Sequence, residues 1–387
     1  KESCTLISAS KRIAGAAAVA WVSLNPAFIA PAQAQATIQA QAQAQTPAET
    51  IGAETRRQDD AFLLMRDAVR QDDVAKVDFY AARLANYSIP SYVDYYRLKS
   101  RLKDASYAQI RDFMKRYEGQ AIVDRLRNDW LLDLGRKRDW ITFDEQLPLF
   151  VLKDDTQVKC YALQSRAIKG QKVADEARAL LTAPGVYGEP CAGLIATLFQ
   201  TGQFDADDMY EQLRLAGEFN ATGQARRIVA LLGGVEKKAV QAVDTPALVL
   251  AKGAGSGRTD HEIYVVAIGS MAKTSVSLAT LALNKASSQL SAQEQQEAWA
   301  AIALQSSYSL SPETTDYWRR SNGAKLSSDQ IQWKTRIALR NGDWRQVKTN
   351  IQAMPAWVRD DPAWTYWLGR ALMAEAGVTT PPTGEAE

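Results

Sequence analysis

The chain has 387 residues, more than the ~100 to 200 of one ordinary domain, and 46% are hydrophobic against 23% charged, which excludes a disordered or collagen-like polymer. Lys and Arg number 46 and Asp and Glu 44, so the chain lacks the basic excess of a nucleic-acid binder, and no nucleic-acid partner is expected. One histidine, His261, and three cysteines leave too few ligands for a zinc or iron site, a cysteine protease or a serine triad; neither metal nor cofactor is expected.

Lys11 and Arg12 precede a mostly apolar run from Ile13 to Ile29, followed by Ala30, Ala32 and Ala34. That charged, apolar and small-residue order predicts a cleavable export signal over residues 1–35. The alternative is an uncleaved anchor, but the run falls short of the ~20 residues a span needs and holds Asn25 and Pro26. No stable membrane anchor is therefore expected after cleavage. Opening on Lys1 rather than Met, the sequence is also read as lacking its natural start. Residues 36–58 read as a flexible, low-complexity leader, its character set by the run QATIQAQAQAQTPAET from Gln35 to Thr50. Cys4 would leave with the signal. Cys160 and Cys191 then form an isolated pair that reads first as a structural disulfide, with two buried free thiols as the alternative.

From Asp59 the sequence reads as helix after helix, with apolar residues at three- and four-residue steps, as in Ile122, Leu126, Trp130 and Leu134. A polar or glycine stop recurs, followed each time by an apolar residue. Those openers are Val74, Tyr107, Trp140, Val173 and Phe204, separated by 33, 33, 33 and 31 residues. Asp73, Ser106, Asp139 and Asp343 stand where helix N-caps belong, and Val77, Ile110, Phe143 and Val347 lie one turn inside, on the face to be buried. The period predicts an all-α superhelical solenoid of stacked helical hairpins, of tetratricopeptide-like length, over residues 59–376. The pattern loosens at 233–260, around Gly233, Gly234 and LAKGAGSGRTD, where a sub-boundary or a long interhelical loop is expected. Ser291 with Glu294 has capping-box spacing, and Ser311 before Pro312 reads as another cap. A last helix is expected from about Ala363 to Ala376, with a linker-like tail over 377–387.

Little here carries catalytic chemistry. IYVVAIGSMAKTS (263–275) has Ala267 and Ala272 where a phosphate loop needs glycine, and GAGSG (253–257) lacks the flanking strand of a dinucleotide fingerprint. The acidic doublets at 59/60, 72/73, 154/155, 207/208 and 360/361 mostly mark helix starts, so they read as caps rather than acid and base pairs. His261, between Asp260 and Glu262, reads as a solvated loop residue. Trp357, Trp364 and Trp367 cluster near the end of the chain and are the residues proposed for glycan contact, although large aromatics also fill the space between packed hairpins.

In SYVDYYRLKSRL (91–102), RLRNDWLLDLGRKRDW (125–140), the pair Cys160 and Cys191, and DPAWTYWLGRAL (361–372), the sequence resembles the soluble lytic murein transglycosylases. The resemblance runs from about Asp59 to Leu372 and implies a periplasmic protein with an N-terminal ring-like superhelix, the U-domain, before a linker and a lysozyme-like domain. In that family the last domain cleaves the β-1,4 bond between N-acetylmuramic acid and N-acetylglucosamine of peptidoglycan, leaving a 1,6-anhydro end. A glutamate does so within a Glu-Ser motif that precedes Gly-Leu-Met-Gln. No Gly-Leu-Met-Gln occurs here, and the sole Glu-Ser is Glu2-Ser3. No catalytic residue is carried over. The expectation is a non-catalytic scaffold, inactive alone, whose partners are glycan strands and the catalytic domain of the same enzyme if the gene continues. The alternative is a free-standing periplasmic adaptor that binds a protein.

Overall fold

The computed structural model describes residues 47–377 apart from Pro184 and Val186, with side chains described from residue 54 onward. The expected signal at 1–35, the leader before Pro47 and the tail after Gly377 lie outside the described residues.

Among the described residues there is no strand, and 21 α-helices follow one another. They are α1 (Pro47–Arg70), α2 (Val74–Arg83), α3 (Pro90–Lys99), α4 (Tyr107–Arg116), α5 (Ala121–Lys137), α6 (Trp140–Gln146) and α7 (Thr156–Ile168). Next come α8 (Ala174–Leu180), α9 (Glu189–Gln200), α10 (Ala206–Glu218), α11 (Thr222–Leu231), α12 (Glu236–Asp244), α13 (Pro246–Leu250) and α14 (Arg258–Ala272). The chain closes with α15 (Val276–Ala286), α16 (Ala292–Tyr308), α17 (Thr314–Arg320), α18 (Ser328–Arg340), α19 (Trp344–Ala353), α20 (Ala356–Arg359) and α21 (Pro362–Glu375). Alternate helices stack as α3 on α5, α5 on α7, α7 on α9 and α9 on α11; the stack continues through α10, α14, α16 and α18. This is the superhelical solenoid expected from the period, because each hairpin covers its apolar face only with the next.

The turn chemistry explains where helices start. The side chains of Asp73, Ser106, Asp139 and Asp343 accept from the amides of Lys76, Gln109, Thr142 and Gln346, each satisfying a donor that the first helical turn leaves unpaired. One turn inside, Val77, Ile110, Phe143 and Val347 are buried. Just before three of these caps the chain reverses through a left-handed residue, at Asp72, Arg138 and Gly342. The Ser291–Glu294 capping box also forms.

The period also appears as lateral bonds between successive hairpins. Tyr95 Oη donates to Asp129 at 2.6 Å, 34 residues away, and Tyr107 Oη to Asp139 at 2.8 Å, 32 away. Gln164 donates to Thr197 at 3.0 Å, 33 away, and Arg178 Nε to Asp208 at 2.7 Å, 30 away. Cys160 and Cys191 form a disulfide, 31 residues apart, that ties α7 to α9. Gly135 on α5 lies against the Tyr161 ring of α7, which occupies the space where a Cβ would stand.

Several sequence expectations change. Val173 is the N-cap residue of α8 and has no side-chain cap bond, and Phe204 sits ahead of the Asp205 cap of α10, so both are buried turn anchors rather than helix openers. Ser311 caps nothing: α17 starts at Thr314 behind Glu313, and the Ser311 hydroxyl donates to Glu313 instead. The glycines at 233 and 234 are followed by two further helices, α12 and α13, and one buried core runs from Cys160 to Ile302 across them. Helix α1 begins at Pro47, within the stretch read as leader. His261 is a residue of α14, largely covered, with Nδ1 at 3.2 Å from Glu294, 33 residues on; it is a rung of the array and not a solvated loop residue.

Candidate functional site

The acidic doublets serve the helices. Asp73, Asp155 and Asp361 accept first-turn amides, and Asp208 completes the capping box of α10 while accepting from Arg178; Asp59 and Asp60 lie within α1. IYVVAIGSMA lies in α14, and GAGSG forms the turn before it. The three tryptophans do not share a surface. Trp364 is buried, its indole N–H donating to Gln332 at 3.4 Å and its ring beneath the Arg336 guanidinium, so its faces are used in packing. Trp367 is half-buried and stacks on Trp344 with centroids 6.5 Å apart. Trp357 is 56% exposed and lines a concavity that several helices share.

That concavity has a volume of about 250 Å³ and lies between α8, α10, α14, α16, the segment 325–330 and α20. The helices that wall it come close because they carry glycine at their crossings: a Cβ on Gly217 of α10 would stand 2.6 Å from Val266 of α14, and one on Gly269 3.2 Å from Ala301 of α16. Leu215, Val265, Val266 and Leu304 supply an apolar wall.

The charged groups around it are paired among themselves. Arg178 donates to both Asp208 oxygens at 2.7 and 2.8 Å, which holds the guanidinium charge beyond its ordinary range and the carboxyl below its own despite burial. Arg214 donates to Glu262 at 2.6 Å and lies 3.7 Å from Glu297; burial opposes its charge, but the two carboxylates outweigh it. Lys325 pairs with Glu211. Lys273 spends three donors on the Gly217 and Glu218 carbonyls and the Asn220 side chain, at 2.7, 2.9 and 2.7 Å, satisfying the end of α10; burial pushes this ammonium down.

Glu218 is the exception. Burial pushes its carboxyl up to about 7, with Asp329 adding to the effect and the Ser327 hydroxyl and Lys273 opposing it. Ser327 Oγ donates to Glu218 Oε1 at 2.8 Å across 109 residues of sequence, while the same oxygen accepts the Gln330 amide at the start of α18. Near neutral pH this carboxyl is about half protonated, and the hydroxyl that donates to it belongs to the residue that caps α18, so the pair ties α10 to the start of α18. Among the described residues no cluster of His, Cys, Asp and Glu is placed to hold a metal, and no helix is long and apolar enough to cross a membrane. Glu218, Lys273 and Ser327 were missed in the sequence because their meeting depends on how far the superhelix turns between α10 and α18.

No family model matches the chain. It is 22% identical over 326 residues to the soluble lytic murein transglycosylase of Escherichia coli (strain K12), covering 79% of this chain and 48% of that protein. The same protein of Escherichia coli O157:H7 aligns equally. The chain thus spans about half the length of the curated relatives it matches. Among solved structures it is similar to an inactive mutant of the lytic transglycosylase Slt from Pseudomonas aeruginosa, with TM-score 0.45, 20% identity, and 83% of this chain and 53% of that chain covered. It is also similar to the 70-kDa soluble lytic transglycosylase of Escherichia coli, with TM-score 0.41, 19% identity, and 83% and 53% covered. The relationship to soluble lytic murein transglycosylases extends over about four-fifths of the chain.

Proposed function

We propose that this chain is the helical, non-catalytic part of a periplasmic lytic transglycosylase, exported by a cleavable signal, whose superhelix holds glycan strands of peptidoglycan or a cutting domain in place. The alignment over 326 residues with a soluble lytic murein transglycosylase carries the reading. The reaction served is cleavage of the β-1,4 bond between N-acetylmuramic acid and N-acetylglucosamine with a 1,6-anhydro product. The Gly-Leu-Met-Gln of the family's catalytic motif does not occur in this sequence, which supports a holding role. Stacked hairpins also present a long curved surface, suited to a linear ligand.

Sedimentation with purified sacculi at moderate salt tests this. The chain is expected to co-sediment. Failure to do so, with capture of one periplasmic protein instead, would replace the reading with a free-standing protein-binding adaptor.

A further inference from the structure

The concavity between α8, α10, α14, α16 and α20 is closed on one side by residues 321–327, which join α17 to α18. Two polar links fasten that strap to α10: Lys325 to Glu211, and Ser327 to Glu218. Its lining combines three properties. The ionised side chains around it already have partners, Arg178 in Asp208, Arg214 in Glu262, Lys325 in Glu211 and Lys273 in the end of α10, so a ligand ion would have to compete for them. Polar groups with no hydrogen-bond partner among the described residues nonetheless line it, namely the side chains of Thr182, Gln305 and Ser328, and the side-chain nitrogen Nε2 of Gln330, whose Oε1 accepts from the Ser327 amide. Leu215, Val266 and Leu304 also line it, and so does the exposed Trp357.

Unused neutral donors and acceptors together with aliphatic and aromatic side chains select a ligand with hydroxyl or amide groups along one edge and an apolar face. The volume, about 250 Å³, gives room for a ligand the size of one ring. We infer that this concavity is a binding site for a single neutral saccharide ring, an N-acetylated hexose at the end of a glycan, held under the 321–327 strap. The choice of an N-acetylated sugar rests on the proposed glycan-holding role; the neutral, one-ring specificity rests on the lining. Trp357 supplies the stacking face, Gln330 and Gln305 the hydrogen bonds.

Titration of the intact chain with N-acetylglucosamine, followed by calorimetry and by protein-observed NMR, tests it. Saturable binding is expected, weakened about tenfold or more by Trp357→Ala and by Gln330→Ala, and about tenfold weaker for glucuronate, which brings an unmatched charge. Circular dichroism identifies any variant that has lost its fold; Trp357, being exposed, is the informative one. No saturable binding at millimolar sugar, binding indifferent to both substitutions, or preference for glucuronate would overturn the site. Sacculus sedimentation that persists without N-acetylglucosamine binding would overturn the site and spare the proposed function. Ring binding without sedimentation would support the site and refute the proposed function.

Discussion

Replacing Glu218 by Gln gives the sharpest test of the electrostatics of the concavity. In the folded chain burial lifts this carboxyl from its ordinary 4.5 to about 7. Between those two values the folded state holds a proton that the unfolded chain has released, so stability falls as pH rises through this window. At ~1.4 kcal/mol per pH unit, ionised Glu218 costs the folded state up to about 3 kcal/mol above pH 7. Glu218→Gln keeps the shape and an acceptor for Ser327 while removing the charge. The variant is therefore expected to match the parent near pH 4.5 and to exceed it by up to about 3 kcal/mol at pH 8. Urea unfolding of both proteins between pH 4.5 and 8.5 measures the difference, in which the other titrating groups cancel. A difference that does not change with pH would refute the reasoning. So would a variant that loses stability as pH rises, since that would mean the carboxylate is favoured in place.

Other outcomes follow from the same packing. Gly135→Ala is expected to destabilise by about 1 to 3 kcal/mol in thermal or urea unfolding, since the added methyl must displace the Tyr161 ring. Asp139 both caps α6 and accepts from Tyr107, so Asp139→Ala should cost about 1 to 2 kcal/mol, with Asn recovering most of it because it can still accept the Thr142 amide. Cys160 and Cys191 should resist alkylation until reductant is added, and removing the bond should cost about 3 to 4 kcal/mol by the chain-entropy account. Two thiols readily alkylated in the native, periplasm-expressed protein would contradict it.

The helical array was legible in the sequence because its signals are local. A carboxylate or hydroxyl just before an apolar residue, with the next buried position three further on, specifies a helix start by bonds inside one turn; Asp73, Ser106, Asp139 and Asp343 all obey this. Even the step between hairpins was readable, since a repeat of similar length must recur in sequence. Ser311 misled because its hydroxyl has a nearer acceptor in Glu313. Residues 233–260 misled because glycines interrupt the pattern, while the helix that follows them, α12, is short and its buried side chains are small, Ala239 and Ala242 with Val243. His261 looked solvated between two acids, but helical winding turns it toward Glu294. The concavity was not legible at all. Glu218 and Ser327 stand 109 residues apart, and their contact depends on curvature summed over the hairpins between them.

The measurement that bears most directly on the central claim is product analysis after incubating the purified chain with sacculi. The holding role predicts that the chain sediments with the sacculi and that no fragments with 1,6-anhydromuramyl ends appear in the supernatant. Release of such ends by this chain alone would contradict it.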